Sequence, residues 1–280
     1  MSTHTLRAMV AASSNTKTRL PLLDTYAGAS AAFSLSQLSS TYTGPAVRVR
    51  RSTDGAEADF TFSQIGSALI SWVGSGATGT IVTWYNQTGG NNLLGTTFST
   101  QPIIVSNNAL ITENGLPALA FNKAHWMTAS LTIAQPYTAF CAVKRNTATG
   151  ASADVVFDSS ASGSTFYFRG TTEAPSNNWT LAAGSSGINS SSLANTNLNL
   201  FCVLANGASS SIHGNGTQLV TGNAGTNGIS GLFVGNVRND LGSGVYRLNG
   251  KISEIIIYSS NQSTNRLGIE ANINSYYGIY

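Results

Sequence analysis

Apolar and polar residues alternate along most of this chain, most clearly near its C-terminus. The segment 246–258 begins half-polar and ends apolar on both faces, which is typical of a strand that runs from a sheet edge into a covered interior. The alternation assigns one face to Leu248, Ile252, Ile256 and Tyr258 and the other to Ile255 and Ile257. Such a strand needs a second sheet against its inner face, so the segment predicts a β-sandwich closed by its C-terminal strand.

Short apolar runs separated by turn residues continue this pattern through the rest of the chain. Strands are predicted at residues 46–51, 81–85, 102–105, 109–112, 118–121, 125–131, 137–145, 154–158, 165–169, 179–183, 198–205, 209–213, 218–220 and 231–235. Many short strands at this spacing predict an all-β sandwich or jelly roll of two antiparallel sheets rather than a parallel α/β sheet.

Three segments instead have apolar residues at helical spacing. Residues 27–42, 62–73 and 264–277 are therefore predicted to form short amphipathic helices, the last of them capping the sandwich. Residues 1–20 are polar, rich in Ser and Thr and without a clear period, which predicts an N-terminal arm or attachment segment. Residues 21–280 are long enough to form one domain with its own core.

The composition indicates whether such a domain folds, which partners it has and in which compartment it is found. Charged residues make up 9% of the chain, whereas hydrophobic residues make up 41% and aromatic residues 9%, so the chain is expected to fold. The net charge of +3 is too small to indicate a nucleic-acid partner. No apolar stretch suits a secretory signal or a membrane span, although the neutral, amide-rich surface is typical of extracellular proteins. A phage structural protein, made in the cytoplasm and released by lysis, reconciles these two observations.

Several buried groups are predicted from their neighbours. Cys141 and Cys202 lie in apolar runs and are expected to be free buried thiols, with a disulfide between neighbouring strands as the alternative. Glu254 lies among isoleucines and, if it points inward, needs an arginine or a backbone amide as its partner. Asp154 and Asp158 flank an apolar run and are expected to be solvated acids at turns rather than calcium ligands.

The sequence predicts neither a metal nor a cofactor. The three histidines, His4, His125 and His213, are isolated from one another and from the cysteines. No serine lies in a G-x-S-x-G context, and no glycine pair opens a predicted helix. We therefore expect no zinc site, no serine nucleophile and no phosphate-binding loop.

A resemblance to the catalytic domain of fungal-type α-L-arabinofuranosidases is carried by LLDTYAGASAAFSLSQLSSTYTGPAVRVRRSTDGAEADF (22–60) and TWYNQTGGNNLL (83–94). The later segments TAFCAVKR, LNLFCVLANG and LNGKISEIIIYSS resemble laminin-G or concanavalin A-like domains, which also occur in bacterial and phage structural proteins. Together these resemblances cover most of residues 22–279. They imply a concanavalin A-like jelly roll of a kind used for sugar hydrolysis, sugar binding and protein contacts.

The resemblance also implies where catalytic carboxylates would lie. The family's acid/base Asp belongs to a glycine-rich loop that matches residues 235–242, where Arg238 takes its place and Asp240 follows two residues later. The family's nucleophilic Glu falls near residues 168–183, where Glu173 is the sole carboxylate. The family's adjacent Cys-Cys pair is absent. Because neither position is well matched, we predict a non-catalytic protein; if it were an enzyme, Asp240 and Glu173 would be its catalytic residues.

Aromatic residues beside amides and acids have the composition of a sugar-binding surface, although aromatic residues at strand ends are more often part of the core. The predicted sugar-binding residues are Trp84, Tyr85, Asn86, Asn91, Asn92, Trp179, Arg238, Asn239 and Asp240.

These observations together predict a phage virion structural protein, exposed on the particle as a capsid decoration, head fibre or tail-associated protein. Residues 1–20 would bind other virion proteins, and the lectin-like domain would contact a host-surface or environmental glycan. The protein is predicted to form a homo-oligomer and to have neither nucleic-acid nor membrane partners. The alternatives are a glycoside hydrolase of arabinofuranosidase type and a secreted carbohydrate-binding module.

Overall fold

A computed structural model describes residues 17, 19–150, 152–160, 163–238 and 246–280 of the chain. In chain order its strands are β1 (Ala29–Ser34), β2 (Val47–Arg51), β3 (Glu57–Phe60), β4 (Gly79–Trp84), β5 (Leu93–Leu94), β6 (Ile103–Ser106), β7 (Ala109–Leu110), β8 (Thr112–Glu113), β9 (Leu116–Pro117), β10 (Leu119–Asn122), β11 (Met127–Ile133), β12 (Tyr137–Arg145), β13 (Asp154–Ser159), β14 (Ser164–Phe168), β15 (Trp179–Ala183), β16 (Gly187–Ser190), β17 (Leu198–Ala205), β18 (Ser210–Gly214), β19 (Thr217–Gly222), β20 (Ile229–Val234) and β21 (Asn249–Tyr258). The helices are α1 (Leu22–Thr25), α2 (Ser67–Val73) and α3 (Arg266–Tyr277), with 3₁₀ turns at Phe62–Gln64, Phe98–Thr100 and Gly207–Ser209.

The strands form two antiparallel layers, as the sequence predicts. The back sheet has the order β1-β21-β12-β17-β18-β19, and β10 also pairs with β21. The front sheet has the order β5-β11-β20-β13-β14-β15-β16. Strand β4 pairs with β5 and also with β6, which leads through β10 to the back sheet, so the two layers are joined along one side. The chain is therefore a β-sandwich of the jelly-roll class.

The back sheet is covered on both faces, which explains its nearly continuous apolar strands. Its inner face, which includes Cys141 and Val203, packs against inward residues of the front sheet such as Phe157 and Phe166. Its outer face packs under α3, where Ile269 and other helix residues contact it. Burial on both faces is what makes β12, β17 and β21 apolar at consecutive positions.

The predicted face assignment of the C-terminal strand is corrected at one point. The pairing of β21 with β12 skips Ser253, because Ala142 lies opposite Glu254 and Val143 lies opposite Ile252. This β-bulge turns Ile252 to the inner core, together with Leu248, Ile255 and Ile257, while Ile256 and Tyr258 face α3. A bulge inserts one unpaired residue and so reverses the alternation that follows it.

The predicted helices are partly confirmed. Helix α3 occupies the predicted C-terminal cap, and the 62–73 segment forms a 3₁₀ turn followed by α2. The helix predicted at 27–42 is wrong, because that segment contains strand β1, which pairs with β21. Residues Ala31 and Phe33 face the inner core while Ala32 faces α3, so pairing in a sheet covered on both faces overrides the helical spacing. No helix in the described part of the chain is long and apolar enough to cross a membrane.

The predictions for buried groups have mixed outcomes. Cys141 and Cys202 are free and buried, as predicted, and they lie on opposite faces of the back sheet. Glu254 points inward and pairs with Arg19, which confirms the expected arginine partner. The expectation of solvated aspartates is wrong, because Asp154 and Asp158 are both buried.

The N-terminal arm predicted at residues 1–20 lies almost wholly outside the described residues. Of its last residues, Arg19 is buried against the domain through its pair with Glu254. The boundary at residue 21 therefore stays a prediction.

Candidate functional site

The outer face of the front sheet carries polar side chains because its strands alternate. In β14, Phe166 and Phe168 enter the inner core, so Thr165 and Tyr167 point outward, followed by Arg169 just after the strand. These outward residues border a cavity of about 480 Å³, here called the carboxylate cavity. Its lining residues are Val155, Gly163, Thr165, Tyr167, Arg169, Glu173, Ala174, Ala182, Gly184, Val237, Arg238 and Tyr246.

A buried aspartate lies beneath this cavity. Asp158 on β13 is 0% exposed. Its Oδ1 accepts a hydrogen bond from Thr165, and its Oδ2 accepts one from the backbone N–H of Arg238 at 2.9 Å. The Arg238 guanidinium lies 3.7 Å from the same carboxylate and beside Gly163, where a Cβ atom would approach it to 2.7 Å. Asp158 therefore fixes the position of Arg238 on the cavity wall.

Glu173 supplies a carboxylate to the lining of the carboxylate cavity. Glu173 is the last residue of a turn, and its backbone N–H donates to the Gly170 carbonyl at 3.3 Å. Burial raises the pKa of Glu173, and the positive charges of Arg169 and Lys123 oppose that rise. Within the described part of the chain, Glu173 is the only acidic residue that lines this cavity.

Arg169 is held in place by the strands beneath it. Its Nε donates to Thr180 Oγ1 at 2.9 Å, its Nη1 donates to the Ala174 carbonyl at 2.7 Å, and its guanidinium lies 5.4 Å from the centre of the Tyr167 ring. Burial also raises the pKa of the Tyr167 hydroxyl, which is a hydrogen-bond donor at neutral pH even without that shift. The cavity thus combines a carboxyl group whose pKa is raised by burial, two guanidinium groups and a phenol.

A second cavity, of about 550 Å³, lies farther along the same face and is here called the amide cavity. It is lined by Gly90, Asn91, Asn92, Leu94, Thr128, Ala129, Ser130, Ser160, Gly231, Leu232 and Phe233. Among the described residues, no group of His, Cys, Asp or Glu side chains suits a metal ion.

The structure separates the predicted sugar-binding residues. Trp84 is 0% exposed and packs on Phe33 at 5.9 Å between ring centres. Trp179 is also buried, and its Nε1 donates to the Leu193 carbonyl at 3.1 Å. Neither indole offers a face to a ligand, so the predicted aromatic platform at these two residues is corrected: both complete the inner core.

The remaining predicted residues are divided between structural and cavity positions. Tyr85 donates its hydroxyl to Asp59 at 2.9 Å, and the buried Asn86 accepts a hydrogen bond from the Ala32 N–H at 2.9 Å. Asn91 and Asn92 line the amide cavity. Among the others, Arg238 and Glu173 line the carboxylate cavity, and Asn239 and Asp240 lie outside the described residues.

Sequence analysis did not identify Tyr167, Arg169 and Asp158 as site residues. Alternation in residues 165–169 already placed Thr165, Tyr167 and Arg169 on one face, with Phe166 and Phe168 on the other. Assigning that face to a site required knowledge of which strands lie beside β14, and sequence alternation does not contain this information.

Comparison with known proteins gives a structural likeness only. No protein-family model matches the sequence, and no curated protein matches it. Among solved structures, an arabinofuranosidase complexed with arabinofuranosyl-α-1,2-xylobiose is similar with a TM-score of 0.65 at 16% identity, over 92% of this chain and 65% of that one. A Glu-to-Gln mutant of a GH54 α-L-arabinofuranosidase soaked with 4-nitrophenyl α-L-arabinofuranoside is similar with a TM-score of 0.61 at 14% identity, over 91% of this chain and 64% of that one.

These matches correct the functional prediction made from the sequence. The prediction of a non-catalytic phage virion protein is contradicted, because the two similar structures named above, which match over 92% and 91% of this chain, are arabinofuranosidases and not virion proteins. The chain spans slightly less than two thirds of the length of either enzyme. At this level of identity the likeness establishes a shared fold, in agreement with the resemblance to arabinofuranosidases found in the sequence.

Proposed function

We propose that this protein is a glycoside hydrolase of arabinofuranosidase type and that the carboxylate cavity is its active site. The observation that carries the proposal is Glu173, a carboxyl group with a raised pKa on the wall of an open cavity. Carboxyl groups with raised pKa values in clefts are the usual proton donors of glycoside hydrolysis. The shared fold with two arabinofuranosidases supports the same class of substrate.

Glu173 has the properties of a general acid. An ordinary glutamic acid, with a pKa of about 4.3, is ionised near neutral pH and has no proton to give. Burial shifts Glu173 towards its protonated form relative to an exposed glutamic acid, and in that form it would donate its proton to the oxygen of the leaving group. This role differs from the nucleophilic role that the resemblance implied for Glu173, because a nucleophile has to be ionised.

Glycoside hydrolysis needs a second carboxylate. Asp240 is our candidate, since it follows Val237 and Arg238, which line the cavity, by three and two residues in the sequence. In this proposal Asp240 acts as the nucleophile or as the base that activates water. The guanidinium groups of Arg169 and Arg238 would donate hydrogen bonds to sugar hydroxyls and so orient the ring.

The test is hydrolysis of α-L-arabinofuranosides with good and poor leaving groups by the wild type, Glu173→Gln and Asp240→Asn. A general acid matters least when the leaving group is already a stable anion. We therefore expect Glu173→Gln to retain much more activity towards the 4-nitrophenyl arabinofuranoside than towards an alkyl arabinofuranoside, and Asp240→Asn to lose both. Glu57→Gln, which alters an exposed ion pair on β3, is the matched control and should keep full activity.

Equal losses of both activities in Glu173→Gln would contradict the proton-donor role. Absence of turnover by the wild type would contradict hydrolysis itself.

A second candidate function, carbohydrate binding without hydrolysis, is favoured by one observation. Only one acidic residue among those described lines the carboxylate cavity, whereas hydrolysis requires two. Binding of arabinofuranosides by the wild type without turnover, lost in Arg169→Gln, would identify this function instead.

A further inference from the structure

We propose that the amide cavity is a second sugar-binding site and that the natural ligand is a chain of neutral sugars spanning both cavities. The proposal rests on the proposed function for what happens in the carboxylate cavity, but not for the binding of the chain. It extends that function by naming a polymeric ligand and a surface that selects it.

The two cavities are connected by a row of residues across neighbouring strands of the front sheet. Thr128 on β11 lies opposite Phe233 on β20, and Phe233 lies opposite Asp158 on β13. Asp158 in turn accepts a hydrogen bond from Thr165 on β14. Thr128 and Phe233 line the amide cavity, and Thr165 lines the carboxylate cavity.

This row places the two cavities side by side on one face of the front sheet, with the buried Asp158 between them. Adjacent strands are about 4.8 Å apart, so the three steps from Thr128 to Thr165 cover about 14 Å. A ligand of that length has to be a chain of several units, since a single sugar fills only one of the cavities. The buried Asp158 lies at the junction, where its hydrogen bonds keep β14 and Arg238 in place.

The lining of the amide cavity has the chemistry of a site for neutral sugars. Thr128 and Ser130 provide hydroxyl groups. Ser160 Oγ and Asn91 Nδ2 already donate to the Ser230 and Ser130 carbonyls, so these two residues chiefly provide oxygen acceptors. No charged side chain belongs to the described lining. Hydroxyl and amide groups donate and accept hydrogen bonds with sugar hydroxyls without a preference for charge. A charged polysaccharide would find no ionic partner in this cavity.

One aromatic ring completes this lining. Phe233 is half-buried in the cavity and packs against Trp126, with 5.7 Å between ring centres. A ring supported in this way offers a rigid apolar surface on which the C–H face of a sugar can pack.

The test is the dependence of affinity on ligand length, measured by calorimetry on the full-length Glu173→Gln variant. The probes are arabinose, arabinotriose and arabinohexaose, and the xylose series of the same lengths. We expect the hexaose of at least one series to bind about tenfold more tightly than its monosaccharide. In the same background Ser130→Trp should remove this gain, because Ser130 is exposed and its replacement fills the amide cavity.

The control is Ser275→Trp, an exposed position on α3 at the opposite side of the sandwich, which should keep the gain with length. Phe233→Leu is a second, smaller change that should weaken hexaose binding. Affinity that does not depend on length, or a gain that survives both Ser130→Trp and Phe233→Leu, would overturn the proposal. Absence of turnover by the wild type together with length-dependent binding would instead remove only the hydrolytic function.

Discussion

Arg19 and Glu254, 235 residues apart in the sequence, form an ion pair in the interior beneath α3. Arg19 Nη2 donates to Glu254 Oε1 at 2.9 Å, Nη1 donates to Oε2, and Nε donates to Asn272 Oδ1 of α3 at 2.8 Å. Ser34 of β1 donates a further hydrogen bond to Glu254 at 2.7 Å. The pair therefore connects the chain before the first strand with the back sheet and the C-terminal helix.

Removing one partner of this pair is expected to destabilise the fold strongly. The two side chains are only 3% and 1% exposed, so Arg19→Met leaves a buried, uncompensated carboxylate. A loss of about 3–5 kcal/mol in the free energy of unfolding is expected, measured by urea denaturation. The control Arg48→Met breaks a surface pair whose arginine is 39% exposed and should cost about 1 kcal/mol or less. Equal losses in the two variants would show that the buried pair contributes no more than a surface pair.

This ion pair was predictable from the sequence only in part. The position of Glu254 between apolar residues was enough to predict that it needs a buried partner, because an unpaired charge is costly in the interior. The sequence could not show that Arg19 is that partner, since no local pattern relates two residues at opposite ends of a chain.

In the fold and in the candidate site, too, local sequence patterns predict some features, whereas others depend on contacts between distant segments. Alternation predicted most strands, because period two is a local property of each segment. It failed at β1, where pairing with β21 decides the structure, and at Ser253, where a bulge reverses the faces. In the site, Glu173 was available as the only acid in its segment, but its proximity to Arg169 and Arg238 depends on how β13, β14 and the segment after β20 come together.

The start of β21, where it pairs with the end of β12, is expected to tolerate no side chain at Gly250. A Cβ atom there would lie 2.0 Å from the Lys144 carbonyl oxygen of the neighbouring strand, so Gly250→Ala has to push β21 away from β12. We expect a loss of about 1–3 kcal/mol in the free energy of unfolding, typical of overpacking. Gly150→Ala is the control, since the nearest atom to its added Cβ would be 3.6 Å away, and it should be neutral or slightly stabilising. If Gly250→Ala left the free energy of unfolding unchanged, β21 and β12 would be able to move apart without destabilising the fold.

The two thiols are expected to be unreactive in the folded protein. Burial raises the pKa values of Cys141 and Cys202 well above the ordinary range, so almost no thiolate forms at pH 8. Iodoacetamide at pH 8 should therefore leave both residues unmodified in native protein and alkylate both in urea, as mass spectrometry of the intact chain would show. Rapid alkylation of either residue under native conditions would contradict the buried placement.

Glu173 should set the upper pH limit of activity. Its pKa is raised by burial, so its carboxyl group keeps the catalytic proton to higher pH than an exposed glutamic acid, and kcat/KM should fall as pH rises through that pKa. Arg169 opposes the rise because its positive charge favours the ionised carboxylate. Arg169→Gln should therefore raise the pKa of Glu173 further and move the alkaline limb of the pH profile to higher pH, whatever it does to the overall rate. Arg48→Gln, on the exposed β2–β3 pair, should leave the limb in place. A limb that moved to lower pH in Arg169→Gln would show that another group, not Glu173, supplies the proton.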